Sequence, residues 1–127
     1  MNRRAYLKTV AAAGLAGALP APAAGKPIQL QCDLEVAPGK EQALEAAFHK
    51  TFSPVIRKQP GFVDVKLLKL RHAVVGEVPT KATYKLLISF ETEEQRLAWV
   101  ATDDHQRVWP AMEKNLTKFN AILYDQV

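Results

Sequence analysis

Residues 99–110, WVATDDHQRVWP, place one histidine between the only two tryptophans of the chain. His105 carries an imidazole that titrates near neutral pH and can take a proton from a ligand. Trp99 and Trp109 offer flat apolar surfaces on which an aromatic ring can stack. The same spacing is also typical of a helix that turns one face toward a protein core. Which interpretation holds depends on the elements that carry these residues.

Alternation of apolar and polar residues predicts four strands, at residues 28–36, 62–71, 82–91 and 118–126. One face of the third strand carries Tyr84, Leu86, Ile88 and Phe90. In the second strand the apolar phase shifts by one residue after Leu67, which predicts a β-bulge there. The single cysteine, Cys32, falls on the apolar face of the first strand, so we expect a buried thiol and no internal disulfide.

Two helical regions separate these strands. The first covers residues 40–58, and we expect Pro54 to bend or end it near its last turn. Its apolar stripe is Leu44, Phe48, Phe52 and Val55. The second begins at a capping box on Thr92, and the TDD sequence at 102–104 predicts a break and a new N-cap. After the break a stripe of His105, Trp109, Met112 and Leu116 follows helical spacing, and we expect Pro110 to kink the helix.

The resulting order, β-α-β-β-α-β, predicts a ferredoxin-like α+β fold in which a four-stranded antiparallel sheet carries two helices on one face. The opposite face of the sheet is not wholly polar. Its apolar residues are drawn from Leu68, Leu70, Leu87 and Ile122. Because an exposed apolar face favours a partner, we expect a homodimer that stacks sheet on sheet.

The N-terminus resembles a twin-arginine export signal. Asn2, Arg3 and Arg4 precede AYLK and then an uncharged run rich in alanine and glycine, and Ala21 and Ala23 suit a signal peptidase. We therefore predict a signal peptide at 1–23, a mature domain at 24–127, and a periplasmic or secreted protein that meets the membrane only transiently during export. A Sec signal or an uncleaved anchor is the alternative.

Charge does not indicate a nucleic-acid partner. The whole chain has a formal net charge of +4. Loss of Arg3, Arg4 and Lys8 with the signal would leave 14 basic against 13 acidic residues, and the remaining bases are scattered among acids. The three histidines are far apart and lack metal-ligand spacing, so we expect no metal site.

The order of elements, the opening LEVAPGKEQALEAAF and the later YKLLISFETEEQRLAWVATDDHQRVWPAM together resemble the antibiotic biosynthesis monooxygenase (ABM) superfamily of dimeric α+β barrels. Members of that superfamily oxidise polycyclic phenols without metal or flavin, degrade haem, isomerise lactones, or have no known activity. The haem-degrading branch pairs a Trp with a His ten residues later and has an Asn on the first strand. Here Trp109 stands ten residues after Trp99 and the first strand has no Asn, so haem degradation is not expected.

The resemblance implies a pocket between sheet and helices that accepts a small aromatic ligand without a cofactor. Its expected wall is Phe48, Phe52, Tyr84, Trp99, His105 and Trp109. As a hypothesis, neutral His105 accepts a proton from a bound phenol, and Tyr84 or Trp99 holds the ring. His105 and Tyr84 are the candidate catalytic residues, and the other four aromatic residues are the candidate substrate-binding residues. The charge state of His105 is open, because the helix dipole disfavours an imidazolium while Asp103 and Asp104 favour one.

Two functional classes follow from these residues. One is a monooxygenase that uses no cofactor and acts on small aromatic or phenolic compounds. The other is a non-catalytic dimeric protein of the cell envelope that binds small molecules, with His105 half-buried and the tryptophans in core or dimer contacts. An open pocket that holds His105 and Tyr84 together would favour the enzyme.

Replacing both arginines of the signal, Arg3→Lys and Arg4→Lys, should abolish transport, because the twin-arginine route reads this pair. Fractionation of the native host should find the wild-type chain in the periplasm or medium and the double variant in the cytoplasm. Lys8→Arg is the control. Export of the double variant at the wild-type level would exclude the twin-arginine route.

Overall fold

The computed structural model of the chain describes residues 25–78 and 81–127. The predicted signal peptide at 1–23 lies outside these residues, so its cleavage and route stay predictions. Among the described residues, no helix has the length and apolar character needed to cross a membrane.

The described residues form four strands and two helical regions in the order β-α-β-β-α-β. Strands β1, β2, β3 and β4 span Ile28–Val36, Phe62–Lys69, Ala82–Phe90 and Leu116–Asp125. The first helical region consists of helix α1 at Glu41–Ala47, a π-helical turn at Phe48–Phe52 and helix α2 at Ser53–Ile56. The second consists of α3 at Glu93–Val100 and α4 at Asp103–Glu113.

The strands pair in the order β2-β3-β1-β4, and every pairing is antiparallel. Cys32 in β1 stands opposite Leu86 in β3 and Ala121 in β4. Because alternate residues of a strand point to the same face, this register aligns one apolar face across the three strands. The helices cover that face, and the architecture is the predicted ferredoxin-like α+β fold.

The core confirms the predicted apolar face of β3. Tyr84, Leu86, Ile88 and Phe90 are all buried, as is Cys32. On the opposite face Leu68, Ile122 and Tyr124 are exposed, and Lys85 forms a 3.4 Å ion pair with Asp33. That face is therefore a mixed apolar and charged surface.

The predicted bulge in the second strand is wrong in position. The register shift lies between Phe62 and Asp64, at Val63, while Val65–Lys69 pairs regularly with β3. The apolar phase shift after Leu67 has another cause. Leu67 packs against the core and Leu68 is exposed on the outer face, so both faces of this strand carry leucine. The strand also ends at Lys69, two residues before the predicted limit.

The π-helical turn changes which residues of the first helical region are buried. The Ser53 N–H donates to the Phe48 carbonyl, five residues back, so the turn contains one more residue than an α-helical turn. Leu44, Phe48 and Phe52 are buried as predicted, but Ile56 rather than Val55 occupies the next core position. The perturbation falls one turn before Pro54, and helical backbone continues through the proline to Ile56.

The second helical region breaks where the sequence predicts. Thr92 caps α3 and Thr102 caps α4, each by accepting a backbone N–H through its side chain. Helix α4 runs through Pro110 without interruption and ends at Glu113. Leu116 therefore begins β4 instead of closing the helical stripe, and it pairs with Val36. The last strand thus starts two residues earlier than predicted.

The shift caused by the π turn predicts unequal costs for two adjacent truncations. Ile56→Ala should lower the free energy of unfolding by about 3 kcal/mol, because it empties a fully enclosed core position. Val55→Ala should cost about 1 kcal/mol or less, because this side chain is only half-buried. Urea denaturation of both variants measures the difference. A larger cost for Val55→Ala would mean that the helix keeps α-helical phase through residues 48–52.

Candidate functional site

A cavity of about 160 Å³ lies between the sheet and the second helical region. The sheet supplies its floor from β1, β3 and β4, and the π turn, α3 and α4 supply its walls. The lining residues are apolar except for Cys32, Arg96 and His105; the full set is Leu30, Cys32, Phe52, Leu86, Ile88, Arg96, Trp99, Val100, His105, Trp109, Phe119 and Ala121. A small number of polar groups in an apolar hollow is typical of a site for an apolar ligand.

Aromatic rings form the wall of this cavity and contact one another edge-on. Phe52 meets Trp99 with ring centroids 6.1 Å apart and Trp109 with centroids 6.2 Å apart. Trp109 continues the series to Phe119 on β4, at 5.2 Å. Because edge-to-face pairs are favourable beyond the area they bury, these contacts fix the rings in place. The cavity thus has a preformed aromatic wall.

The break between α3 and α4 positions His105. The Thr102 hydroxyl accepts the His105 backbone N–H at 3.1 Å and donates to the Trp99 carbonyl at 2.7 Å. One side chain therefore satisfies both the first turn of α4 and the last turn of α3. This arrangement brings the His105 imidazole against the Trp99 indole, with centroids 5.0 Å apart and planes at 82°.

The environment of His105 favours the neutral imidazole. Burial lowers the pKa of His105 below its ordinary value of 6.5, and the positive charge of Arg96 lowers it further. Asp103 and Asp104, the acids expected to favour an imidazolium, are exposed to solvent. Its Nδ1 is buried without a hydrogen-bond partner among the described residues.

Arg96 brings a charged group to the cavity that the sequence analysis did not identify. On α3 it forms a forked ion pair with Glu93, from Nε to Oε1 at 2.7 Å and from Nη2 to Oε2 at 2.8 Å. Only 17% of the Arg96 side chain is exposed. Arg96 stands three residues before Trp99 and therefore lies near the same helix face. This spacing is the feature of the sequence that could have predicted its place at the cavity.

Cys32 lies on the cavity floor as a neutral thiol. The sequence predicted its burial, and it is 3% exposed. Burial raises the pKa of Cys32 to about 11, and Asp33 adds to the effect. Since only the thiolate is strongly nucleophilic, this residue behaves as a small apolar group at neutral pH.

The structure brings together four of the six predicted wall residues: Phe52, Trp99, His105 and Trp109. The prediction of a shared wall is wrong for the other two. Tyr84 lies under α1, where its hydroxyl donates to Glu45. Burial, followed by that hydrogen bond, raises the pKa of Tyr84 to about 12. Phe48 packs behind Phe52, with ring centroids 6.4 Å apart, and does not reach the cavity.

Tyr84 and Phe48 lie outside the cavity because β3 and the first helical region both extend beyond it. Tyr84 stands opposite Leu34 and Lys69, whereas the cavity floor begins at the next pair on the same face, Leu86 in β3 and Cys32 in β1. Residues that share one face can therefore lie under different helices. Over residues 25–78 and 81–127, no group of three or more His, Cys, Asp or Glu side chains could hold a metal ion.

Comparison with known proteins gives a family for this arrangement. The sequence model of the antibiotic biosynthesis monooxygenase family, ABM, matches residues 27–110. This range contains both helical regions as far as Pro110 and thus most of the cavity. No sequence among the curated proteins matches the chain.

Solved structures share the fold at low sequence identity. A dimeric ferredoxin-like protein of unknown function from Jannaschia sp. CCS1 is 13% identical, with a TM-score of 0.67 over 79% of this chain and 99% of that one. A conserved protein from Methanosarcina mazei Go1 is 15% identical, with a TM-score of 0.65 over 83% and 97% of the two chains. A variant of SnoaB, a cofactor-independent oxygenase from Streptomyces nogalater, is 16% identical, with a TM-score of 0.64 over 80% and 93%.

The lowered pKa of His105 predicts how stability depends on pH. The unfolded chain binds a proton at His105 more readily than the folded protein, so acid favours unfolding. The stability due to neutral His105 should be complete above about pH 6.5 and decline as the pH falls below it. An imidazole titrates between about pH 5 and 8. The free energy of unfolding, measured by urea denaturation across this range, should therefore show the decline. His105→Gln should show a smaller decline, and identical profiles would contradict the assignment.

Proposed function

We propose that this chain, which belongs to the antibiotic biosynthesis monooxygenase family, is a monooxygenase that uses no cofactor and oxidises small one-ring phenols. The observation that supports this most directly is the cavity itself. It combines an aromatic wall with one neutral imidazole, which is the combination needed to hold a ring and accept a proton from it.

The size of the cavity favours a single ring. Its volume is about 160 Å³, and an apolar protein cavity of about 150 Å³ is known to bind benzene. A fused polycyclic ligand is larger than this volume, and Trp109 and Phe119 are among the residues that bound it. Those two rings pack against each other at 5.2 Å and brace the wall, so we assign a one-ring substrate.

His105 serves as the base in this proposal. We place the proton of the neutral imidazole on Nδ1, the ring nitrogen that is buried and has no hydrogen-bond partner among the described residues. The lone pair then lies on Nε2, which makes no hydrogen bond to a described residue. Nε2 is therefore the atom that receives the phenol proton.

The reaction needs molecular oxygen as co-substrate and no other reductant. Loss of the hydroxyl proton to His105 makes the ring electron-rich, and the ring carbon para to the oxygen forms a bond to O2. The resulting peroxide takes the proton from His105. Its O–O bond then breaks as the ring C–H proton leaves, which gives a quinone and one water. The phenol supplies all four electrons that reduce O2.

The proposal that the chain needs no cofactor rests on its structural similarity to SnoaB. SnoaB is named a cofactor-independent oxygenase, and it shares the fold of this chain. We propose that this chain likewise uses no cofactor, as its sequence predicts.

A second candidate is a non-catalytic protein that binds small aromatic compounds. The position of Tyr84 favours it, because the cavity contains His105 without the second predicted catalytic residue. On this alternative the aromatic wall holds a ligand and the neutral His105 only orients its hydroxyl. Ligand binding without oxygen consumption would distinguish it from the enzyme.

Assembly and location complete the proposal. We propose a homodimer through the outer sheet face, supported by exposed Leu68, Ile122 and Tyr124 and by the dimeric Jannaschia protein of the same fold.

We propose export to the periplasm or medium, supported by the twin arginines Arg3 and Arg4. Neither nucleic acid nor a permanent membrane anchor has a role in it.

Incubation with 2,6-dimethylphenol under 18O2 should yield the para-quinone with one 18O atom, detected by mass spectrometry. His105→Ala should lower the turnover number by about 100-fold or more, since it removes the base. His49→Ala is the matched control, because this exposed histidine lies outside the cavity.

Two results would contradict the proposed reaction. Turnover of His105→Ala at the wild-type rate would remove His105 as the base. Binding of the phenol by wild-type protein with no oxygen consumed across a panel of one-ring phenols would leave the binding protein as the function.

A further inference from the structure

Among the described residues that line the cavity, Arg96 is the one permanent cation, and Cys32 and His105 are the other two polar side chains. Desolvating a charge is costly unless the charge is paired, and Glu93 is its partner. The hydrogen bond from Arg96 lowers the pKa of Glu93, so this carboxyl is ionised at neutral pH. The ion pair with Glu93 explains how an arginine is tolerated beside the cavity, but it occupies only some of the N–H donors of the guanidinium.

The fork to Glu93 occupies one edge of the guanidinium. Nε and Nη2 donate to the two carboxylate oxygens, whereas Nη1 makes no hydrogen bond to a described residue. A planar guanidinium carries more N–H donors than one carboxylate can accept. Since Arg96 also lines the cavity, donors remain on its other edge for a ligand oxygen.

The neighbours of Arg96 on other elements determine which ligand charge the cavity favours. From β1 it faces the neutral thiol of Cys32, and from α4 the neutral imidazole of His105, whose pKa its charge lowers. Neither neighbour supplies a negative charge within the cavity. An anion that enters would therefore meet a cation, because the described residues of the lining include no acid and the nearby Glu93 is already paired.

We infer that Arg96 binds the ionised oxygen of the substrate and makes the site selective for phenolates over uncharged rings of the same shape. This inference deepens the proposed function and rests on it. The phenol loses its proton to His105, and Arg96 receives the resulting oxygen anion while the ring lies against Trp99. Arg96 is thus a substrate-binding residue in addition to stabilising the start of α3.

Two probes of nearly equal shape test this selectivity. 4-Nitrophenol at alkaline pH is an anion, whereas 4-nitrotoluene carries a methyl group in place of the oxygen. Equilibrium dialysis gives the dissociation constant of each, and the absorption of bound 4-nitrophenol reports whether it stays ionised. The wild-type protein should bind the phenolate about tenfold or more tightly than 4-nitrotoluene, because a hydrogen bond to a charged group is involved.

Variants separate ligand binding from a purely structural ion pair. Arg96→Met should remove the tenfold preference and leave the affinity for 4-nitrotoluene unchanged. Glu93→Gln, which keeps the guanidinium and removes the competing acid, should increase the preference several-fold. Arg107→Met is the matched control, because Arg107 forms a similar 2.9 Å pair with Asp104 on the exposed side of α4 and should keep the wild-type preference.

Each other outcome overturns a defined part of the account. Equal affinities of the wild-type protein for the two probes, or equal weakening of both by Arg96→Met, would reject the role of Arg96 and leave the proposed function standing. A Glu93→Gln variant with an unchanged or smaller preference would reject it as well, even if Arg96→Met fails to fold. Failure of the wild-type protein to bind either probe would reject the cavity as a ligand site and the proposed function with it.

Discussion

The edge-on contacts of Phe52 with Trp99 and Trp109 are the interactions on which the rest of the site depends. Phe52 is almost fully buried at the end of the π turn, so one ring joins the first helical region to both helices of the second. Without the extra residue of that turn, the ring would lie at a different angle around the helix axis. The cavity then exists because the rings of Phe52, Trp99 and Trp109 form its wall above a floor of mainly small and aliphatic residues from the sheet.

The electrostatic character of the cavity follows from the same enclosure. Burial favours the neutral forms of Cys32 and His105, because less water can solvate their charged forms. Arg96 is permanently charged, and the two hydrogen bonds to Glu93 offset the cost of placing that charge beside the cavity. The site therefore joins a neutral proton acceptor to a fixed cation in apolar surroundings, a pairing suited to a ligand that becomes negative after binding.

Local patterns in the sequence predicted the fold and the helix caps, and longer-range geometry decided the site. Thr92 and Thr102 cap their helices as expected, since capping depends only on residues three positions apart. The alternation in β3 correctly gave one buried face, but it could not show that Tyr84 and Leu86 lie under different helices. Ile56 is buried in place of the predicted Val55 because of the π turn. The spacing of apolar residues in the sequence fits an ordinary α-helix and does not indicate such a turn. Arg96 was missed because an arginine near a helix start usually indicates a surface ion pair.

The central claim is that the cavity beneath the second helical region binds a one-ring phenol. The two tryptophans are the only ones in the chain, and both line this cavity, so their indole N–H signals in an NMR spectrum report on it without interference. Titration with 2,6-dimethylphenol should shift both indole signals together, with one saturating binding curve. Indole signals that stay in place throughout the titration, while other resonances of the protein move, would place the ligand elsewhere and contradict the account.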